Sequence, residues 1–221
     1  MIRLVHGLLS RLMSIFPTEP ATSQVASQYE ELNGLYATVS RVIFEGLEAF
    51  DKNATASVSS LFGTLMLLKA ACISNVCYVD RLISLFMRVL QRITRDHLTP
   101  QQTAQPGAGD SSPVANELLV ISLDLLKGRV GVMGVEMRKS FIGAVLVGLI
   151  EKTPDPKVMR AIIKMMEEWM KSRDPQVINQ GPSLREKSIL LVKLMQYVEK
   201  RFPDDADLNG NFLEIVNFIY R

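Results

Sequence analysis

The side chains equipped for chemistry fall in a few places. Arg95-Asp96-His97 sets an imidazole beside a carboxylate and a guanidinium, the groups of acid–base catalysis. All three close an apolar-periodic segment just before a polar stretch, and a cation and an imidazole favour a helix C-terminus without any catalytic role. His6 has no acidic partner in its own segment. Glu167-Glu168-Trp169 offers two carboxylates next to an aromatic ring. Neighbours on a helix diverge by about 100°, so these carboxylates cannot converge on one substrate. Glu167 instead stands four residues before Lys171, a surface ion pair worth roughly 0.2–0.5 kcal/mol. Trp169 reads as a residue packed between helices, with an anchor for a partner protein as the alternative.

Cys72 and Cys77 have no histidine or further cysteine near them in sequence. Zinc takes about four ligands, and a secreted disulfide framework takes more pairs, so the two read as reduced, packed thiols of a cytosolic or nuclear protein. Gly128, Gly131 and Gly134 have the wrong spacing for either phosphate-binding loop and read as helix-terminating turn residues. No Ser-His-Asp or Cys-His arrangement emerges. The sequence therefore names no catalytic, cofactor-binding or metal-ligating residue.

The elements that would have to position such groups are helices. Apolar residues recur at steps of three and four from Tyr29 to Phe50 (Leu32, Tyr36, Val39, Ile43, Leu47, Phe50) and again from Tyr78 to Arg95 (Val79, Leu82, Ile83, Phe86, Val89, Leu90, Ile93). A helix over 58–74 lies between them. The short junction Ser74-Asn75-Val76 predicts an antiparallel pair. Further helices are expected over 114–127, 134–152, 156–171 and 184–202, and from 208 to the end. Asp155-Pro156 places an N-cap acceptor before a proline at the first helical position. Ser183 and Glu186 have the spacing of a capping box. Pro17-Thr18-Glu19-Pro20 and the polar run to Gln28 predict a loop. Residues 99–114, rich in Pro, Gln, Gly, Ser and Ala, predict a disordered loop. Ser112-Pro113 there reads either as a modifiable serine or as a helix start with proline at its first position. Asn53-Ala54-Thr55 matches a glycosylation acceptor and reads as a chance match, with no signal peptide expected.

Basic and acidic residues number 25 and 23, a net charge of +2, and both signs are scattered along most helices. A nucleic-acid surface would concentrate positive charge, so direct nucleic-acid binding is not expected. The longest uncharged apolar run, Phe141 to Ile150, is about half of what a bilayer crossing needs, and no membrane association is expected. Met1 to Phe16 is apolar, contains Arg and Ser, and lacks acids, as a mitochondrial presequence does. It carries only two arginines and no small-residue cleavage site follows. The other reading is an amphipathic repeat helix with Leu4, Leu8, Leu12 and Ile15 on one face.

Starts near 134 and 182 give a period of about 48, close to armadillo and HEAT repeats. The predicted fold is all-α, an irregular HEAT/armadillo-like α-solenoid of antiparallel helix pairs. It has an N-terminal helical part (1–98), the loop (99–114) and a C-terminal helical part (115–221) in one continuous segment.

Several long strings carry a family resemblance over essentially the whole chain. They are Ser10 to Pro20 (SRLMSIFPTEP), Leu61 to Met66 (LFGTLM), Asp80 to Ser84 (DRLIS), Val135 to Lys139 (VEMRK) and Leu184 to Lys193 (LREKSILLVK). These strings resemble the TRRAP family, the transformation/transcription domain-associated proteins. The resemblance implies a piece of the HEAT array of a very large scaffold related to the phosphatidylinositol-3-kinase-like kinases, whose kinase-like domain lacks catalytic residues. It implies a nuclear protein, no enzymatic activity in this region, and no cofactor. Its implied partners are other subunits of histone acetyltransferase coactivator complexes, of SAGA type and the nucleosome acetyltransferase, and transcriptional activators. The competing reading is a small helical enzyme or cofactor-binding protein, mitochondrial if Met1 to Phe16 is a presequence, whose site forms only in three dimensions.

A segment of a solenoid exposes apolar end faces that neighbouring repeats would cover. Ile215, Val216, Phe218, Ile219 and Tyr220 in the last helix are expected to form such a face. The isolated chain is expected to self-associate. Sizing chromatography with light scattering at micromolar concentration checks this, and a monodisperse monomer would refute it.

Overall fold

The computed structural model describes residues 2–15, 30–73, 76–99 and 113–219, and these contain helices and short connections with no strand among them. The chain divides into two compact units, Met1–Val89 and Leu90–Arg221.

In the first unit α1 (Ile2–Ile15) and α2 (Glu30–Lys52) are followed by a 3-10 turn (Val58–Leu61) that runs into α3 (Phe62–Ala71). A second 3-10 segment (Val76–Leu82) leads into α4 (Ile83–Leu98). The buried stripe of α2 is Tyr36, Val39, Ile43, Leu47 and Phe50, the predicted spacing; the side chain of Leu32 lies outside the described residues. α1 and α2 both pack against α3. Where α2 meets α3 the backbones come close: a Cβ added at Gly46 would fall on Thr64 Oγ1 and stand 3.0 Å from its Cγ2. A second strip of contacts joins α2 to the chain that follows α3. Tyr78 donates its hydroxyl to Ser40 Oγ at 2.6 Å, and Arg88 pairs with Asp51 at 2.8 Å. Both partners advance along the chain together, so these segments run parallel.

The second unit is built in two layers. One holds the end of α4, then a rod made of α6 (Val135–Lys139), a π-helical stretch (Ser140–Val147) and α7 (Gly148–Lys152), then α10 (Leu184–Arg201). The other holds α5 (Pro113–Leu126), α8 (Pro156–Lys171) and α11 (Ala206–Ile219). A short α9 (Pro175–Gln180) lies in the connection from α8 to α10. Within each layer the helices are parallel, because start meets start and end meets end. Arg138 pairs with Glu186 at 2.6 Å and Lys193 with Glu151; Asn116 bonds Asp155, and Lys127 pairs with Glu168 at 2.8 Å. The partners in these four bonds lie 48, 42, 39 and 41 residues apart. One repeat length thus recurs as the spacing of cross-helix bonds, which is what stacked pairs require. The core between layers is apolar, with Leu118, Phe141, Leu149, Val158, Ile162, Leu194 and Leu208 essentially fully buried.

Local signals set the helix starts as read from sequence. Asp155 Oδ1 accepts from Lys157 N at 2.7 Å, Ser183 and Glu186 form the reciprocal capping box, and Pro113 opens α5. Other expectations change. The helix expected over 58–74 is shorter and begins as a 3-10 turn, and the rod over 135–152 widens into π geometry at its centre. Gly134 is an N-cap with extended backbone rather than a terminator. Leu4 and Leu8 are exposed, whereas His6, Leu9, Ser10 and Leu12 are partly covered, so α1 uses a different face from the one expected; Ile15's side chain lies outside the described residues. Ile215 is fully buried, so it belongs to the core and not to an end face. The loop over 17–28, most of the Ser74-Asn75-Val76 junction, most of the 99–114 loop including Ser112, and Tyr220 lie outside the described residues.

Alanine at a helix-interior glycine ordinarily gains about 1 kcal/mol in propensity. At Gly46 the collision with the β-branched, buried Thr64 outweighs that gain, since overpacking costs about 1–3 kcal/mol. Gly46→Ala is expected to lower the thermal midpoint, and Thr64→Ala in the same chain to restore part of the loss, as followed by circular dichroism.

Candidate functional site

Side chains capable of chemistry gather at the two edges of the second unit, where helices end and loops turn. At one edge α5 and α8 finish and α6 and α10 begin. Trp169, 4% exposed, donates its indole Nε1–H to the Lys127 carbonyl at 2.9 Å and so caps the end of α5. Lys187 donates to the Trp169 carbonyl at 2.8 Å near the end of α8, and burial pulls its ammonium below the ordinary lysine range. Lys127 reaches Asp124 and Glu168; burial opposes its charge, yet these two carboxylates hold its pKa above the usual value. The Arg138 hydrogen bond holds Glu186 below the ordinary carboxylate range, against partial burial. Buried Arg129 bonds Gln180, and a Cβ at Gly131 would collide with the Asn179 carbonyl, so this loop and α9 are locked together. On this fixed edge Val132, Val135, Ile178 and Leu184 stand exposed; Val135 and Leu184, at 68% and 78%, are each the first residue of their helix.

The opposite edge, where α4, α7 and α10 finish, is polar. His97 Nε2 meets Thr153 Oγ1 at 2.9 Å, and the Thr153 hydroxyl also accepts from Asp155 N at 3.3 Å. His97 Nδ1 is buried with no hydrogen-bond partner among the described residues. Burial lowers the imidazole pKa, and the Asp155 carboxylate opposes that shift. Arg201 donates to three carbonyls at the end of α7, those of Thr153, Glu151 and Lys152, at 3.1, 3.2 and 2.9 Å. Beside it an open groove of about 600 Å³ is lined by Pro156, Arg201, Phe202, Asp204, Asp205 and Asp207 among others. Asp205 is already engaged there, accepting from Leu208 N and pairing with Arg160 at 3.0 Å. Neither His97 nor the cysteines line that groove.

The residues weighed from sequence are therefore placed as follows. His97 sits against Thr153, with Asp96 on the arginines of its own helix, Arg92 and Arg95. Glu167 pairs with Lys171 at 2.6 Å and Glu168 turns to Lys127, so the two carboxylates diverge. Cys72 is half-buried and Cys77 exposed, both reduced. Asn53 closes the turn after α2, its Oδ1 accepting from Thr55 N and Oγ1. No group of three His, Cys, Asp or Glu side chains is arranged to hold a metal among the described residues, and no described helix is long and apolar enough to cross a membrane. Sequence reasoning missed Arg129, Lys187 and Arg201, whose roles depend on acceptors in other helices: the Gln180 side chain for Arg129 and backbone carbonyls for the other two.

Parallel helices in two layers, tied at one-repeat spacing, define an α-solenoid of HEAT type. The profile of the Tra1 HEAT repeat ring region matches residues 1–221. The chain belongs to this family. It is 59% identical over 221 residues to the Transformation/transcription domain-associated protein of Danio rerio and 58% identical over 220 residues to that of Homo sapiens, covering 100% of this chain and 6% of each relative. The Saccharomyces cerevisiae protein named SAGA complex/NuA4 acetyltransferase complex subunit TRA1 is 25% identical over 135 residues, 61% of this chain and 3% of its own length. The chain thus spans a small part of the relatives it matches.

Two outcomes follow for the edges. Trp169→Phe removes the donor to the carbonyl of half-buried Lys127 and is expected to cost about 1 kcal/mol in urea unfolding, with little change in helix content. Because folded His97 has a pKa below its ordinary 6.5, the unfolded chain binds the proton more readily. Its contribution to stability is therefore complete above about pH 6.5 and falls as the pH drops toward the folded pKa. Midpoints measured between about pH 7.5 and 5.5 should decline less in His97→Gln than in the parent.

Proposed function

We propose that this chain is a non-catalytic scaffold segment of a TRRAP-like coactivator subunit in nuclear histone acetyltransferase assemblies of SAGA and NuA4 type, with its two helical parts, 1–98 and 115–221, continuous in one solenoid. The observation that carries the reading is the family match along the whole chain, joined to the complex membership stated in the yeast relative's name. The mechanism is geometric. Stacked helix pairs hold loops at fixed spacing, and a mostly tied polar network spends the titratable groups on structure rather than on substrate. Other subunits of the assembly and transcriptional activators are the partners this reading assigns, with neither cofactor nor direct nucleic-acid contact.

The test is purification of the full-length gene product through an affinity tag placed next to this region. Histone acetyltransferase subunits, and acetylation of nucleosomes by the eluate, are expected to accompany it. A pure product without them at physiological salt would sink the assignment.

A further inference from the structure

No further inference is drawn: the strongest candidate, the exposed apolar surface of Val132, Val135, Ile178 and Leu184 at the edge where α6 and α10 begin, carries nothing because nothing in the structure shows what covers it.

Discussion

A helix leaves its last carbonyls without partners inside the helix, and how this chain satisfies them governs its second unit. Helix starts are capped from within: Asp155, Asp174, Ser183 and Asp205 each accept an amide two or three residues ahead. Helix ends take local backbone amides too, such as Thr153 N on the Leu149 carbonyl and Ser172 N on that of Glu168, but three of them also receive a donor from another helix. The α5 end is met by the Trp169 indole from α8, the α8 end by Lys187 from α10, and the α7 end by the Arg201 guanidinium from the far end of α10. Each such donor crosses to another helix, so closing one helix requires that the next be in place. Burying a carbonyl without a donor costs about 1–3 kcal/mol, enough to matter against the stability of a domain.

That arrangement explains why the groups with chemical potential are occupied. Arg201, Lys187 and Trp169 serve carbonyls; Glu168, Glu186 and Glu151 serve ammonium and guanidinium groups one repeat away. What remains for other molecules is the open groove beside Arg201 and apolar surface: Val132, Val135, Ile178 and Leu184 on a fixed edge, with Val192 and Met195 exposed on α10. A surface made of repeated, rigidly spaced elements suits a scaffold, in which each pair answers mainly to its neighbours.

Cis and trans capping also divide what could be read in the sequence from what could not. Asp155-Pro156 and Ser183 with Glu186 are written within four residues, so the starts of α8 and α10 were legible to the residue. The stripes of α2 and of the segment over 78–95 were legible because burial on one face imposes their period. Arg201 carries no such signal, since nothing near it in sequence shows that carbonyls some fifty residues earlier need a donor. The π geometry of Ser140–Val147 is invisible for a related reason: an apolar run such as SFIGAVLV fits either helix, and packing decides. α9 was missed because six residues with one proline and few apolar side chains read as loop, yet contact with the loop around Gly131 holds them helical. His97 looked like a catalytic candidate from its neighbours and is a tie between helices, which only the position of Thr153 reveals.

Hydrogen exchange on the Arg201→Met chain tests most directly whether helix ends are closed from the following repeat. Removing this one guanidinium at the end of α10 should speed amide exchange about tenfold or more over 148–155, at the end of α7 some fifty residues away, while α2 and α3 keep the parent rates. Faster exchange confined to residues around 201, with 148–155 unchanged, would contradict the account.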